Sequence, residues 1–336
     1  MIKICVDCMG SDNGAKATVG GILNFLKRNK DTKIIAVGRK EELKELENNP
    51  QVEIVDAPDI VPMTVSPLEV MRARKSSMYQ AITLTKENGY DAVVSAGSTG
   101  GFLSCATMRL KLVEGIQRAA LVTPFPTKNG NPLTILDIGA NNETTPEQLA
   151  QFALMGRIYS QNVFKKENPS VYLLSNGAEE EKGTPEVKAA YKLLKESNFP
   201  NFKGNIEARE ALDGTCDVIV TGGFAGNVFL KGCEGTAKMM QDLMKKAFKK
   251  NIFTILGYLF SKSGFKEMKQ IMNYKSYGGA MLLGVNGVVV KAHGNSDDYS
   301  FGCALDLAYK MAKSNLVNLL KEGVNNSSED SKEKGE

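Results

Sequence analysis

Short runs of β-branched and aliphatic residues alternate along this chain with segments of helical periodicity. Nine such runs are residues 2–7, 33–38, 51–57, 90–97, 119–125, 133–141, 170–177, 216–223 and 285–294. Amphipathic stretches lie between them, for example near Pro146–Ser160 and from about Pro185 to Ser197. Nearly continuous apolar strands separated by helices are typical of parallel sheets that are covered on both faces. The pattern therefore predicts an α/β fold with a mostly parallel sheet and helices on both faces.

The organisation of the chain favours one large unit. The 336 residues contain no internal repeat and no clear linker, so we predict a single α/β unit over residues 1–322. An apolar helical excursion is expected near residues 245–270. The last stretch, residues 323–336, is mostly polar and charged, and we expect it to be a disordered tail.

Charge and composition exclude several classes of protein. The net charge is only +4, and no arginine-rich stripe with interleaved aromatic residues is present, so nucleic acid is not an expected partner. No run of 18 apolar residues occurs, and no membrane-spanning helix is therefore predicted. The first residues lead directly into a strand without the layout of a signal peptide, and a cytoplasmic location is the expectation.

The cysteines and the single histidine limit the chemistry available to the chain. Cys5 and Cys8 have the spacing of a redox or metal-binding pair, but Cys5 lies inside the first strand run and no second pair follows. The six cysteines are therefore expected to be reduced and mostly buried. Because His293 is the only histidine, a histidine-rich metal centre is excluded, and no metal site is predicted.

Six of the predicted strands end in small, polar or glycine-rich segments. These strand-end loops are residues 7–14, 95–101, 137–142, 175–183, 221–227 and 291–296. In parallel sheets, ligands bind beyond the carboxyl ends of the strands, where glycine allows close approach and helix starts offer free N–H groups. We expect the six loops to meet at one edge of the sheet and to form a composite site for an anionic ligand.

Residues Asn251–Gly264 form an apolar segment between lysines. Ile252, Ile255, Leu256, Leu259 and Phe260 have the spacing of one helical face. The flanking lysines are Lys245, Lys246, Lys249, Lys250, Lys262, Lys266 and Lys269. A helix lying in the interface of an anionic membrane fits this pattern, and a helix buried in the core or at a dimer interface is the alternative.

Several segments together resemble a known family. They are VDCMGSDNG at 6–14, SAGSTGG at 95–101, LDIGAN at 136–141, EEEKG at 179–183, NIEARE at 205–210, GFAGNVFLK at 223–231, YGGAMLLG at 277–284 and VKAHGNSD at 290–297. The combination is similar to the acyl-ACP:phosphate acyltransferase (PlsX) family, which makes acyl phosphate for phospholipid synthesis. The resemblance implies a homodimer without metal or nucleotide cofactor, with a fold like phosphotransacetylases and isocitrate/isopropylmalate dehydrogenases.

The resemblance also implies partners. Acyl carrier protein and inorganic phosphate would be the substrates, and a membrane glycerol-3-phosphate acyltransferase would consume the acyl phosphate. The protein would be cytoplasmic and peripherally associated with the membrane. Because acyl carrier protein is acidic, a basic docking surface is expected, and Arg72, Arg74 and Lys75 form one candidate cluster. A solvated helix face is the alternative interpretation of that cluster.

The implied reaction, attack of phosphate on a thioester, needs positioning and positive charge rather than a protein nucleophile. The resemblance assigns Lys182 to holding phosphate or stabilising the oxyanion, and Asn227 to donating to the carbonyl oxygen. As alternatives, Lys182 would be a surface lysine beside three glutamates, and Asn227 a helix cap. Candidate residues for substrate and phosphate binding are Ser98, Thr99, Gly100, Asn141, Asn142, Asp12 and His293. His293 could instead be structural.

Two loops depart from the family pattern. The first loop usually reads MGGD-His-x-Pro, and here Ser11, Asn13 and Ala15 replace glycine, histidine and proline. Gly222 stands where an aspartate is usual. An inactive membrane-associated scaffold, which lost activity through its altered first loop, is therefore one alternative. A phosphotransacetylase that uses acyl-CoA, with the same thioester chemistry, is another. A dehydrogenase is disfavoured because its aspartate cluster and arginine set are not seen at convincing spacing.

Overall fold

The computed structural model of this chain describes residues 1–271 and 278–333. All nine predicted strand runs contain a strand, and two further strands, Phe202–Glu207 and Ala280–Leu283, were not predicted. The strands are β1 (Ile2–Asp7), β2 (Thr32–Gly38), β3 (Val52–Asp56), β4 (Ala92–Ser95), β5 (Ala120–Phe125), β6 (Leu133–Leu136), β7 (Val171–Ser175), β8 (Phe202–Glu207), β9 (Val218–Val220), β10 (Ala280–Leu283) and β11 (Val288–Lys291).

The helices connect these strands. Within the described residues they are α1 (Gly14–Arg28), α2 (Pro67–Arg72), α3 (Ser77–Glu87), α4 (Thr99–Leu110), α5 (Pro146–Phe164), α6 (Pro185–Glu196), α7 (Gly223–Phe248), α8 (Ile252–Ile271), α9 (Asp298–Lys313) and α10 (Leu316–Glu333). Helices α5 and α6 confirm the two amphipathic stretches. Each helix begins with a proline that follows a threonine, and the threonine hydroxyl accepts a hydrogen bond from a backbone N–H of the first turn. Because both residue types are typical of helix starts, the sequence predicts these two starts accurately.

The strands form one 11-stranded sheet in the order β3-β2-β1-β4-β11-β10-β5-β6-β9-β7-β8. Seven of its ten neighbouring pairs are parallel, which confirms a mostly parallel sheet. The three antiparallel pairs, β11 with β10, β10 with β5 and β5 with β6, lie together in the middle. Consequently β6, β7, β8 and β9 run opposite to β1, β2, β3, β4 and β11.

Helices cover both faces of the sheet, as predicted. On one face, α1, α5, α6, α9 and α10 contribute side chains to a core with alternate strand residues such as Ile4 and Val6. On the other face, α2, α3, α4 and the first turns of α7 pack over residues such as Cys5 and Val93. Alternate residues of each strand face opposite sides of the sheet, so every strand contributes to both cores. Because α4 and the start of α7 both pack on the second core, they lie in the same layer.

The boundary predicted at residue 322 is wrong. Helix α10 continues to Glu333, and Val324 is buried, so the start of the expected disordered tail is helical. The signal that was overlooked is the apolar spacing of Leu316, Leu320 and Val324, all of them buried. Residues 334–336 lie outside the described residues.

The expected helical excursion is a hairpin formed by α7 and α8. Only Gly223, Gly226 and Leu230 of the 26 residues of α7 are buried, so most of this helix projects from the body. Phe248 packs against Tyr258 and Phe265 at ring-centroid distances of 5.5 and 4.8 Å and joins the two helices. Among the described helices, none combines the length and apolarity that crossing a bilayer requires.

The apolar stripe of α8 is exposed. Ile252, Ile255, Leu256, Leu259 and Phe260 all lie on the surface of the chain, and Phe260 is 88% exposed. The interpretation that this stripe packs into the chain's own core is therefore wrong. The side chain of Lys269, and Tyr277 of the family motif at 277–284, lie outside the described residues.

Candidate functional site

The six strand-end loops do not meet at one edge of the sheet. The loops after β1, β4 and β11 lie at what we call the first edge. The loops after β6, β7 and β9 lie at the opposite, second edge, because these strands run the other way. The expectation of a single edge is thus wrong. The antiparallel strands in the centre of the sheet are the physical reason.

At the first edge, hydrogen bonds and close backbone contacts join the three loops. The backbone N–H of Asp12 donates to the carbonyl of Gly294 at 2.9 Å, and the side-chain amide of Asn13 donates to the carbonyl of Ser296, also at 2.9 Å. A β-carbon on Gly10 would lie 2.7 Å from Cα of Gly97, so the loops after β1 and β4 touch where only glycine fits. Asn13, a departure from the family pattern, therefore has a structural role here.

The predicted phosphate-binding turn lies at the start of α4. Ser98 is buried, and its hydroxyl accepts a hydrogen bond from Gly101 N–H at 3.4 Å, so it caps the helix. Thr99 and Gly100 are exposed at the first turn, and no atom lies within 4 Å of a β-carbon built on Gly100. The turn thus presents a helix N-terminus to an open space, a geometry that suits an anion.

The other first-edge candidates lie close to this turn. Asp12 is exposed, and its carboxylate lies beside Gly294. His293 is half-buried in the loop after β11, and its carbonyl accepts from Ser296 N–H at 3.1 Å. The structure therefore brings Ser98, Thr99, Gly100, Asp12 and His293 to one edge.

A buried pair of opposite charges lies beneath these loops, and sequence reasoning assigned no role to its lysine. Asp7 is fully buried and accepts hydrogen bonds of 2.6 Å from the hydroxyls of Ser77 and Ser95. Burial raises the pKa of its carboxyl group. Lys291, the last residue of β11, is 7% exposed, and burial lowers the pKa of its ammonium to about 8. The available signal was a charged residue that closes an apolar strand, VVVK.

At the second edge, Asp137 organises the loop after β6. One carboxylate oxygen accepts from the N–H groups of Leu121, Gly139 and Ala140 at 2.9–3.1 Å. The other accepts from the backbone and side-chain nitrogens of Asn141 at 2.9 and 2.8 Å. Burial raises the pKa of Asp137, while these donors act to lower it. Asp137 therefore holds the turn rather than facing a ligand.

Asn141 and Asn142 have different surroundings. Asn141 is buried, and its side chain also donates to the carbonyl of Ala119 at 2.8 Å, so its amide is occupied by the fold. Asn142 is exposed and lines a cleft described below. Of the two asparagines, only Asn142 is placed to contact a ligand.

The start of α7 packs tightly on this loop. A β-carbon on Gly223 would lie 2.2 Å from the carbonyl oxygen of Asn141, and one on Gly226 would lie 2.0 Å from that of Asp137. Only glycine fits at these two positions, because the backbone of α7 lies so close to the loop after β6. Asn227 follows them, exposed, with its carboxamide against Gly139. Gly222 is the N-cap residue of α7. A β-carbon on it would lie 2.9 Å from Oγ1 of Thr144, so the aspartate that is usual at this position of the family pattern would displace that hydroxyl.

A cleft of about 1390 Å³ opens at the second edge between the loops after β6, β7 and β9. Its lining includes the apolar residues Leu149, Leu174, Val187, Phe224, Ala225, Val228 and Phe229. It also includes polar residues such as Arg118, Asn142, Thr144, Ser175 and Asn176. The cleft therefore offers apolar area and hydrogen-bonding groups side by side, as sites for organic ligands do.

Lys182 lies in the loop after β7, next to this cleft. Its N–H donates to the carbonyl of Glu179 at 3.1 Å, and its alkyl chain folds over Gly177. The side chain is exposed and does not line the cleft, whereas Gly183, its neighbour, does. Gly183 N–H donates to Asn176 at 2.9 Å, which ties the loop to the cleft wall.

Helix α7 connects the two edges. It begins at the second edge, and Phe229 then packs against Phe125, the last residue of β5, with ring centroids 6.5 Å apart. Lys231 follows, near enough to Lys291 for their like charges to interact. One helical turn, about 6 Å along the axis, separates Lys231 from Asn227.

Within the described residues, no cluster of three or more His, Cys, Asp or Glu side chains is suited to a metal ion.

The chain is similar in sequence to a family described as fatty acid synthesis protein, whose model matches residues 2–319. Phosphate acyltransferase from Thermosipho melanesiensis is 41% identical over 326 residues, which cover 97% of each chain. Phosphate acyltransferase from Clostridium tetani is 39% identical, covering 97% of this chain and 98% of its relative. These similarities extend over nearly the whole of each protein.

Solved structures share the fold at low sequence identity. A branched-chain phosphotransacylase from Enterococcus faecalis matches with a TM-score of 0.58 and 13% identity, covering 93% of this chain and 99% of that one. The phosphotransacetylase EutD from Staphylococcus aureus matches with a TM-score of 0.55 and 16% identity, covering 93% of this chain and 94% of that one. The predicted phosphotransacetylase-like fold is confirmed.

Proposed function

Because the chain belongs to the phosphate acyltransferase family, we propose that it moves a fatty acyl group from acyl carrier protein onto inorganic phosphate. As a member of that family it is an acyltransferase. The products would be acyl phosphate and free acyl carrier protein, at an early step of phospholipid synthesis.

The cleft at the second edge carries this proposal. Its apolar lining residues, with Phe224 and Val228 of α7 among them and exposed, suit a fatty acyl chain. Asn227 lies between these two residues in α7 and does not itself line the cleft, so it would donate to a thioester carbonyl at the margin of the cleft. A volume of about 1390 Å³ leaves space for an acyl chain together with its thioester.

The chemistry needs no protein nucleophile. Phosphate dianion attacks the thioester carbonyl, a C–O bond forms, and the tetrahedral oxyanion collapses with cleavage of the C–S bond. The proton that phosphate carried ends on the departing thiol. Asn227 would donate to the carbonyl oxygen, and Lys182 would place its ammonium beside the oxyanion. Because Lys182 folds over Gly177, this role requires its flexible side chain to swing toward the cleft.

Phosphate would enter from the first edge. The exposed first turn of α4, at Thr99 and Gly100, offers backbone N–H groups, with Ser98, Asp12 and His293 nearby. The first two turns of α7 run from the acyl cleft to this edge, so the two substrates would meet along that helix. Asn142, which lines the cleft, would orient the acyl donor.

The protein partners belong to the same proposal. Arg72, Arg74 and Lys75 are exposed at and just beyond the end of α2, which packs on α4, and form a basic surface for the acidic acyl carrier protein. A second copy of the chain would cover exposed apolar residues of α7 such as Met239 and Leu243. The exposed stripe of α8, within Asn251–Gly264, would contact a membrane surface, where an acyltransferase acting on glycerol 3-phosphate would receive the product.

Incubation of the purified chain with palmitoyl-acyl carrier protein and phosphate tests the proposal. We expect acyl phosphate, trapped as a hydroxamate, and free carrier thiol in equal amounts. Acyl phosphate from acetyl-CoA but not from the carrier-bound donor would instead indicate a phosphotransacetylase. Vesicle binding without turnover of either donor would indicate an inactive scaffold.

A further inference from the structure

Lys291 is a buried ammonium group at the first edge, where the loops after β1, β4 and β11 join. Its side chain is 7% exposed, and Nζ donates a hydrogen bond to the carbonyl of Ala292. In the strand register Lys291 lies opposite Ser95, three residues before the Ser98 cap of α4. Lysine is rarely buried to this degree unless a partner of opposite charge compensates it.

The available carboxylates compensate Lys291 only in part. Asp7 and Asp12 attract it, but the oxygens of Asp7 already accept hydrogen bonds from Ser77 and Ser95. Among the described residues, no carboxylate lies within the 4.0 Å of Nζ that defines an ion pair. The ammonium therefore retains donors that its one hydrogen bond, to a carbonyl, does not use.

A second cation lies near Lys291. Lys231 of α7 is close enough for its charge to repel that of Lys291, and its ammonium forms an ion pair with Glu234 at 2.8 Å. Burial and this repulsion both lower the pKa of Lys291. A buried ammonium group that a neighbouring cation repels would be stabilised by an anion.

We propose that Lys291 binds the inorganic phosphate substrate, donating from Nζ to a phosphate oxygen, with Lys231 adding positive charge from the α7 side. This inference rests on the proposed function, because that function supplies phosphate as the anion. It adds a buried cation to the exposed first turn of α4. It also gives Asp7, whose charge attracts Lys291, the role of a partial countercharge for the ammonium.

Equilibrium binding of radiolabelled inorganic phosphate to the full chain, without acyl donor, tests the assignment. Lys291→Met alone would leave Asp7 buried without its countercharge, so the decisive variant is the double substitution Asp7→Asn/Lys291→Met, which removes both charges. Loss of one charged hydrogen bond should weaken phosphate binding about tenfold to a hundredfold in that double variant. Lys310→Met, an exposed lysine of α9, is the matched control and should bind phosphate normally.

A purely structural Lys291 would give the opposite result. The double variant would then bind phosphate as tightly as the unaltered protein, and the proposal would be overturned. Unaltered protein that binds no phosphate would also overturn it. Protein that binds phosphate through Lys291 but makes no acyl phosphate from acyl carrier protein would leave this inference standing and reject the proposed function. In active protein, the KM for phosphate should rise in the double variant while that for the acyl donor changes little.

Discussion

The carboxamide of Asn227 rests against the backbone of Gly139, with Cγ and Nδ2 each 3.4 Å from the position of a β-carbon on that glycine. Gly139 has a φ of +130°, which other residues rarely adopt. Gly139→Ala should therefore disturb both the loop and Asn227, and we expect turnover to fall about tenfold to a hundredfold, as for Asn227→Ala. Steady-state kinetics with the acyl-carrier donor would measure both effects.

A double-mutant cycle separates this coupling from simple strain. If Gly139 acts by placing Asn227, the double variant should be hardly slower than either single variant. Effects on log kcat that add fully would mean that the two positions act independently. Far-ultraviolet circular dichroism of each variant would show whether the fold is retained.

Lys182 is exposed, so its removal should affect turnover without affecting the fold. We expect Lys182→Ala to lower kcat by a factor of about 10² or more, with unfolding free energy unchanged within about 0.5 kcal/mol. Lys188→Ala, another exposed lysine close by on α6, should leave both quantities unchanged. Near-normal turnover in Lys182→Ala would reject the assignment of this residue.

The sequence predicted the strands well but not their directions. Apolar periodicity identifies a strand, whereas direction depends on the connection. Only residues 126–132 link β5 to β6, and only residues 284–287 link β10 to β11. Both links are too short for a parallel crossover, which needs about a dozen residues or more. The length of the first link was available from the predicted strand runs, whereas the second link depends on β10, which was not predicted. The reversal between β5 and β6 places the loops after β6, β7 and β9 at the second edge.

Two strands escaped prediction for local reasons. β8 contains Lys203, Gly204 and Asn205, so it lacks a continuous apolar run. β10 has only four residues, which follow a pair of glycines, so it is too short to show a periodicity of its own. In the candidate site, residue types were enough to predict Asn227 and Ser98 as ligand-binding residues. The burial of Lys291 depends on how distant loops pack together, and apolar periodicity carries no information on that packing.

The stability of the protein should depend on pH through Lys291. Burial lowers its pKa from 10.5 to about 8, so between these values the unfolded chain holds more protons than the folded one. Stability contributed by this group therefore rises as pH rises through that range. Between pH 8 and pH 9.5 we expect the unfolding free energy of the unaltered protein to gain about 1–2 kcal/mol relative to Lys291→Met.

Urea denaturation of both proteins at the two pH values would measure this gain. Titrating groups that do not interact with Lys291 are shared, so they cancel in the difference between the proteins. Because Lys291 lowers the pKa of Asp7, the same comparison between Asp7→Asn and Asp7→Asn/Lys291→Met removes the contribution of that carboxyl group. A difference that stays constant with pH would show that Lys291 titrates normally. Such a result would also remove one support for a partly uncompensated ammonium at the first edge.

The cysteines should be unreactive in the folded protein. Burial raises the pKa of the Cys5, Cys105 and Cys216 thiols to about 12 and that of Cys8 well above its usual value. Only Cys233 and Cys303 are partly accessible. At pH 8 we expect iodoacetamide to modify at most these two thiols in native protein and all six in urea, as counted by mass spectrometry. Rapid native modification of Cys5 or Cys8 would contradict their burial.

Membrane contact should depend on the exposed stripe of α8. Ile255 and Leu259 are one turn apart on that stripe, 42% and 56% exposed, and two glutamates there would oppose both insertion and anionic headgroups. We expect Ile255→Glu/Leu259→Glu to release the protein from vesicles containing phosphatidylglycerol, while turnover with acyl carrier protein in solution persists. The matched control is Ala189→Glu/Leu193→Glu, which adds the same charges one turn apart on exposed α6 and should leave vesicle sedimentation unchanged. If the unaltered protein is a dimer in analytical ultracentrifugation and the α8 variant is a monomer, the stripe packs against a second copy, and the membrane assignment fails.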